Sequence, residues 1–289
     1  MAYFARLFCI GLLSLSTALA AASSPSADPV ELLDQARDDT RMLIVGELHG
    51  TQETPALVAN LAQRWATRGP VLVALEIPAQ EQPHLQAYLR SPGGDADRQR
   101  LLAGEFWQTP RERSDGRRSE AMLGMLESLR TFVATGAPVE VLAFDDMAFH
   151  DAGQDRNAQM AERVRQAMAT QPERRIIVLT GNYHARWTLP ERINSQSVPE
   201  GFVPPRPMAA ALRGPEVANV NVTAERPQFW ACMQQQACGP LTPLSMGSAG
   251  ADMLVRSTAT DRDYDLVLTL PELHVSEPVQ VNKPELVDP

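Results

Sequence analysis

The sequence predicts an α/β fold: a mostly parallel central sheet flanked by helices, with a looser, mixed C-terminal part. Three observations predict it. Short continuous apolar runs recur along the chain, as expected of strands buried on both faces. The segments between them carry apolar residues at helical spacing, the pattern of βαβ units. After Pro190 the alternation fades into prolines and short β-type runs.

The elements follow in order. Arg41–Val45 reads as a first strand and Thr51–Arg68 as a helix, with Leu57, Leu61 and Trp65 on one face and Gly69 as its stop. Val71–Leu75 is a second strand and Gln80–Arg90 a helix. Residues 91–117 are rich in Gly, Pro, Asp and Arg and read as a long loop. Ser119–Ala134 is an amphipathic helix carrying Met122, Leu126, Leu129 and Val133 on one face, and Gly136 ends it. Val139–Phe144, a helix over Asp155–Thr170, and a strand at Ile176–Leu179 complete the regular part. Beyond it, Met208–Leu212, Val217–Val222 and Leu266–Leu270 read as strands, and the tail from Pro271 as irregular.

Composition excludes several classes. The 289 residues are 44% hydrophobic and 21% charged, which is neither disordered, collagen-like nor coiled-coil. The net charge of -9 argues against nucleic acid as a partner. Lys283 is the only lysine, so basic charge is almost all arginine. Residues 1–22 have the form of a secretory signal: Arg6, an apolar run from Leu7 to about Leu19, then small residues at Ala18, Ala20 and Ala22. The run is shorter than the roughly 20 residues that span a bilayer, so a stable membrane anchor is not expected. The expected mature chain is periplasmic and forms one domain over residues 23–289. Its core covers about 40–190, and a C-terminal part about 207–289. Export leaves Cys232 and Cys238, an even pair that reads as a local disulfide in an oxidising compartment.

In open parallel sheets, ligands bind beyond the carboxyl ends of the strands. The first predicted strand is followed by Gly46-Glu47-Leu48-His49-Gly50, the second by Glu76, the third by Asp145-Asp146, and the fourth by Gly181-Asn182-Tyr183-His184. Taken singly, each has an ordinary reading as a cap, an ion-pair partner or a structural imidazole. Taken together, they bring carboxylates and two imidazoles to one edge, and such groups gather in clefts. His84, His150 and His274 lack that context. Two imidazoles with a carboxylate, here His49, Glu76 and His184, can hold a divalent metal with open positions for water. Without metal, a His or Glu of the same set can take a proton from water. Backbone N–H groups at the start of the helix from Thr51 could hold an oxyanion. There is no Gly-x-Ser-x-Gly elbow, no His-Glu-x-x-His and no P-loop.

GELHGTQE (46–53), ALEIP (74–78) and TGNYHAR (180–186) together resemble the Tiki superfamily. It groups Tiki-type metalloproteases, TraB-like proteins, erythromycin-esterase-like enzymes and ChaN-type haem-binding uptake proteins. The resemblance covers roughly residues 40–190. It implies an α/β fold and a centre lined by Glu47, His49, Glu76 and His184. DGRRSE (115–120) and RNAQMA (156–161) also look like family segments, implying that Arg117 and Arg156 bind a substrate oxyanion. Tyr183 and Asp145, at the same edge, are further substrate-binding candidates.

Two functions follow from the resemblance. One is an exported hydrolase of an ester, amide or peptide bond, working on a small-molecule or peptide substrate with a divalent metal. The other is a ChaN-like haem-binding protein without turnover. ChaN-like proteins bind haem at a tyrosine, and the mature chain offers Tyr88, Tyr183 and Tyr264.

Overall fold

The computed structural model describes residues 28–36, 39–146, 155–189, 206–232, 237–242, 254–256 and 263–281. The signal-like segment, His150 and most of the proline-rich stretch after Pro190 lie outside the described residues.

The apolar runs become the strands of one sheet. These are β1 (Met42–Glu47), β2 (Val71–Pro78), β3 (Val139–Asp145), β4 (Arg175–Gly181), β5 (Val217–Pro227), β8 (Leu254–Arg256) and β9 (Leu266–Leu273). Their order is β3-β2-β4-β1-β5-β9-β8. Every pairing is parallel except β8 on β9, so the mixed character is confined to one edge. A separate antiparallel pair joins β6 (Phe229–Ala231) to β7 (Gly239–Leu241). The C-terminal strands β5 and β9 thus extend the same sheet that β1 to β4 begin.

The period-two alternation of a strand sorts its side chains onto two faces. Leu43 and Val45 enter a core with helices α1 (Pro29–Ala36), α2 (Glu53–Ala66), α3 (Gln82–Leu89), α4 (Asp95–Leu102) and α5 (Glu120–Ala134). Met42 and Ile44 enter a second core with α6 (Arg156–Thr170), α7 (Asn182–Ala185) and α8 (Met208–Leu212). At about 1.5–3 kcal/mol per fully buried aliphatic side chain, these two layers dominate the favourable side of folding.

Three expectations are corrected. Met208–Leu212 is helix, not strand. Its sequence MAAAL is mostly alanine, the best helix former, with no β-branched residue. The stretch 91–117 contains α4, whose start is capped by the Asp97 carboxylate accepting the Gly93 and Gly94 amides at 3.0 and 3.1 Å. This helix has only Leu101 and Leu102 as large apolar residues, so no periodicity revealed it. The described part of the tail, residues 271–281, is held by specific contacts. Thr51 bridges to Val275, Ser119 bridges to Pro278, and Ser276 donates its amide to the Gly50 carbonyl at 2.7 Å.

At the β3 border of the sheet, Gln82 behaves like a short strand. Its Nε2 donates to the Val141 carbonyl at 2.8 Å, and its Oε1 accepts the Ala143 amide at 2.6 Å. Helix α5 is capped by Ser119, whose hydroxyl accepts the Met122 amide at 3.2 Å. Among the described residues, no helix is long and apolar enough to cross a membrane.

Candidate functional site

The strands run past their apolar cores, and that extension builds the site. Glu47 is the last residue of β1 and pairs in register with Gly181 of β4. Glu76 lies within β2, at a register shift between Leu75 and Pro78. Such irregularities re-aim a side chain beside a site. Asp145 closes β3. All three carboxylates are buried, at 3%, 5% and 2% exposure. Buried carboxylates require partners.

Glu76 is the hub. Its Oε2 accepts the Thr180 hydroxyl at 2.6 Å and the Gly181 amide at 2.8 Å. Its Oε1 accepts Arg156 Nη2 at 2.7 Å and lies 3.5 Å from Arg117 Nη1. The two imidazoles flank it: His49 Nε2 is 3.6 Å from Oε2, and His184 Nε2 is 3.7 Å from Oε1. Burial alone would raise the Glu76 pKa. The facing His184, His49, Arg117 and Arg156 overcome this and hold it well below the usual carboxylate value.

Arg156 comes from the first turn of α6, placed there by the Asp155 cap, which accepts the Asn157 and Ala158 amides at 2.9 and 3.3 Å. Its Nε and Nη2 reach Asp145 at 2.7 Å each, and its Nη1 reaches His184 Nε2 at 3.1 Å. Arg117 Nη1 donates to Asp145 at 2.6 Å, and its Nε and Nη2 hold Asp115 at 2.9 and 2.8 Å. Arg117 and Arg156 are therefore engaged by protein carboxylates and do not point outward as free oxyanion binders. Asp145 is likewise the anion that binds these two arginines, not an exposed substrate contact. The amide of Gln52, the residue before α2, donates to the His274 carbonyl at 2.9 Å, so the tail packs beside this helix start.

The two histidines sit in opposite environments. His184 donates from Nδ1 to Asn157 Oδ1 at 2.5 Å and accepts Arg156 at Nε2, an arrangement that fits only the neutral ring. Burial, helped by the Arg156 guanidinium, lowers its pKa below 6.5 despite Glu76. His49 donates from Nδ1 to Glu47 Oε1 at 2.9 Å. Burial would lower its pKa as well, but Glu76 and Glu47 outweigh it and raise the value above 6.5. His49 Nε2 lies beyond hydrogen-bonding distance of Glu76, and the side chain keeps 21% exposure. Burial raises the Glu47 pKa, opposed by the His49 bond. The His49 ring packs on Gly181, where any Cβ would come within 2.8 Å of Nε2.

The expected metal triad of His49, Glu76 and His184 is assembled, but not as a metal site. The Arg156 guanidinium donates to both His184 Nε2 and Glu76 Oε1, the lone pairs that a metal would need. The cationic position is filled by arginine. Among the described residues, no cluster of three or more metal-ligating side chains forms.

Tyr183 stands edge-on to His184, with ring centroids 5.5 Å apart. Tyr88 donates to Glu127 at 2.7 Å and Tyr264 to the Asn182 carbonyl at 2.6 Å. His84 and His274 are exposed and away from the site, and His150 lies outside the described residues. Residues not singled out in the sequence also take part. Asn157 and Thr180 sit inside the RNAQMA and TGNYHAR segments and Asp115 inside DGRRSE, so proximity to a motif was the available signal. Trp230 had none beyond its place two residues before Cys232. The disulfide between Cys232 and Cys238 is formed.

With this geometry in view, comparison with solved structures finds the architecture again. The fold is similar to that of erythromycin esterase EreC. A mutant of that enzyme in its open conformation aligns with a TM-score of 0.61 over 87% of this chain and 95% of its own, at 12% identity. A succinoglycan biosynthesis protein aligns with a TM-score of 0.57 over 88% and 94%, at 11% identity. A Bacillus cereus protein aligns with a TM-score of 0.54 over 89% and 95%, at 10% identity. At such identities the likeness is one of fold. No family model matches the sequence, and no curated protein sequence does.

Proposed function

We propose that the protein is a hydrolase of ester, amide or peptide bonds in which His49 is the general base and no metal takes part. The observation that carries this reading is the Glu47–His49 pair. Glu47 fixes the ring through Nδ1 and leaves Nε2 3.6 Å from Glu76 Oε2, on a side chain that keeps 21% exposure. This is the geometry of an oriented base. His49 Nε2 takes a proton from water as the water oxygen bonds to the substrate carbonyl carbon. The tetrahedral intermediate then collapses, the bond to the leaving group breaks, and the imidazolium returns its proton to that group. Glu47 and Glu76 stabilise the imidazolium in between. His184, kept neutral, orients Arg156, and the arginines hold the Glu76 and Asp145 side chains in place.

The esterase-like fold supports this reading, as do the opposed proton affinities of the two histidines, which separate base from orienter. The Cys232–Cys238 bridge supports an oxidising compartment, and with the signal-like residues 1–22 we assign the protein to the periplasm.

The test uses purified mature protein and a panel of chromogenic p-nitrophenyl esters. Hydrolysis is expected, unchanged by EDTA and lost in His49→Ala. Stoichiometric metal whose removal abolishes hydrolysis would overturn the metal-free mechanism. A Soret band on haem titration that is lost in Tyr183→Phe, with no hydrolysis, would replace the proposal with the haem-binding alternative.

A further inference from the structure

The β6–β7 hairpin packs against the two loops that carry the site. Trp230 of β6 donates its backbone amide to the Gly50 carbonyl at 3.2 Å, one residue after His49. Its indole Nε1 donates to the Ser114 carbonyl at 2.9 Å, three residues before Arg117. The side chain is 2% exposed, and the Arg111 guanidinium lies 4.4 Å from the ring centroid. On the other arm, Cys238 donates its amide to the Glu112 carbonyl at 3.1 Å. The disulfide joins the two arms just beyond these contacts.

The fit of the three segments is close enough to require glycine. Gly50 has φ +69° and Gly116 has φ +92°. A Cβ on Gly50 would lie 2.5 Å from Trp230 Cβ, and one on Gly116 would lie 2.5 Å from the Trp230 carbonyl and 2.9 Å from the Gly50 nitrogen. The His49 loop, the Asp115–Arg117 loop and the hairpin thus stack backbone on backbone. Asp115 in turn acts on His49 and is gripped by Arg117.

We infer that the disulfide-closed hairpin is a clamp that sets the His49 loop against the Arg117 loop, and that Trp230 is a positioning residue of the site. Trp230 touches no reacting atom. It acts through the Gly50 and Ser114 carbonyls. The inference rests on the role proposed for His49, but its main readout does not.

That readout is the imidazole titration of His49 by NMR, measured in the full mature chain beside His274 as an internal reference. In Trp230→Ala the His49 titration is expected to move down toward 6.5, the ordinary value, while His274 stays unchanged. Ester turnover is expected to fall by about tenfold in kcat with little change in KM, because a misplaced catalytic group costs rate steeply. Trp230→Phe keeps an aromatic ring in place but loses the indole bond to Ser114, and should recover only part of the rate. If Trp230→Ala does not fold, Cys232→Ser with Cys238→Ser carries the same test. A His49 titration identical to wild type in a folded variant overturns the clamp, whether or not ester is hydrolysed. A shifted titration in a protein whose wild type hydrolyses nothing supports the clamp and overturns the catalytic reading alone.

Discussion

Gly181→Ala probes the placement of the proposed base more cleanly than removing it. Gly181 has φ -56° and ψ 144°, a conformation that alanine adopts without strain. Its amide, bonded to Glu76, is retained. What changes is space. The new Cβ would lie 2.8 Å from His49 Nε2, 3.4 Å from Cε1 and 3.5 Å from Cδ2. Ordinary contact begins near 3.4 Å, so the ring must retreat by about 0.6 Å at the nitrogen proposed as the base. Since a misplacement of about 1 Å can cost on the order of 100-fold in rate, about tenfold is expected here, or roughly 1.4 kcal/mol of transition-state stabilisation. His49 is part exposed and can yield outward, so the melting temperature should fall little. The assay is p-nitrophenyl ester hydrolysis together with the His49 titration. Gly124→Ala serves as control: it is an exposed helical glycine with open space around its Cβ position. That change should stabilise by about 0.5–1 kcal/mol and leave the rate alone. Wild-type rate and wild-type His49 titration in Gly181→Ala would refute both the packing and the role assigned to Nε2.

Other outcomes follow from the same contacts. Hydrolysis should rise with pH through a value above 6.5, because the neutral His49 is the active form and its pKa is raised. The stabilising imidazolium–carboxylate contact runs the other way: it is complete below 6.5 and lost as pH rises through the folded-state value, which denaturant titrations across that window will show. Arg156→Ala leaves Glu76 and Asp145 buried with one cation fewer and should cost about 3–5 kcal/mol in urea unfolding. Arg156→Lys should recover only part, since an ammonium cannot reproduce the planar fork that reaches Asp145, Glu76 and His184 together. Ser119→Ala removes the cap of α5 and should cost about 1 kcal/mol by the same measurement, with the His49 titration unchanged.

The sheet was legible because its strands are apolar on both faces. Leu43 and Ile44 serve different cores, yet both read as buried, and continuous apolar runs mark them. The strand ends were less legible. Glu47, Glu76 and Asp145 read as residues following a strand, whereas they are the last or near-last members of the ladder. Glu47 is held by its near neighbour His49, but the burial of Glu76 and Asp145 depends on guanidiniums arriving from elsewhere in the chain, which no local pattern encodes. For the same reason Arg117 and Arg156 were found as members of the site but assigned to substrate, while the structure engages them with carboxylates. A metal was a fair reading of His49, Glu76 and His184 as residue types. Only the third dimension shows the Arg156 guanidinium lying between two of those side chains. The tail after Pro271 carries no periodicity because it binds through single backbone contacts to Gly50, Gln52 and Arg118 instead of through a repeating face.

The side chain of Gln82 has a consequence for how the molecule behaves in a crowded solution. An outermost strand offers unpaired amides and carbonyls that recruit strands from other molecules. On β3 one carboxamide covers the Val141 carbonyl and the Ala143 amide, offering the same donor and acceptor that a neighbouring peptide group would. A foreign strand must first displace a partner already tethered to α3. Gln82 thus acts as a stopper against growth of the sheet into oligomers at its β3 border. The opposite border ends in the short, antiparallel β8, where there is little length for another strand to follow.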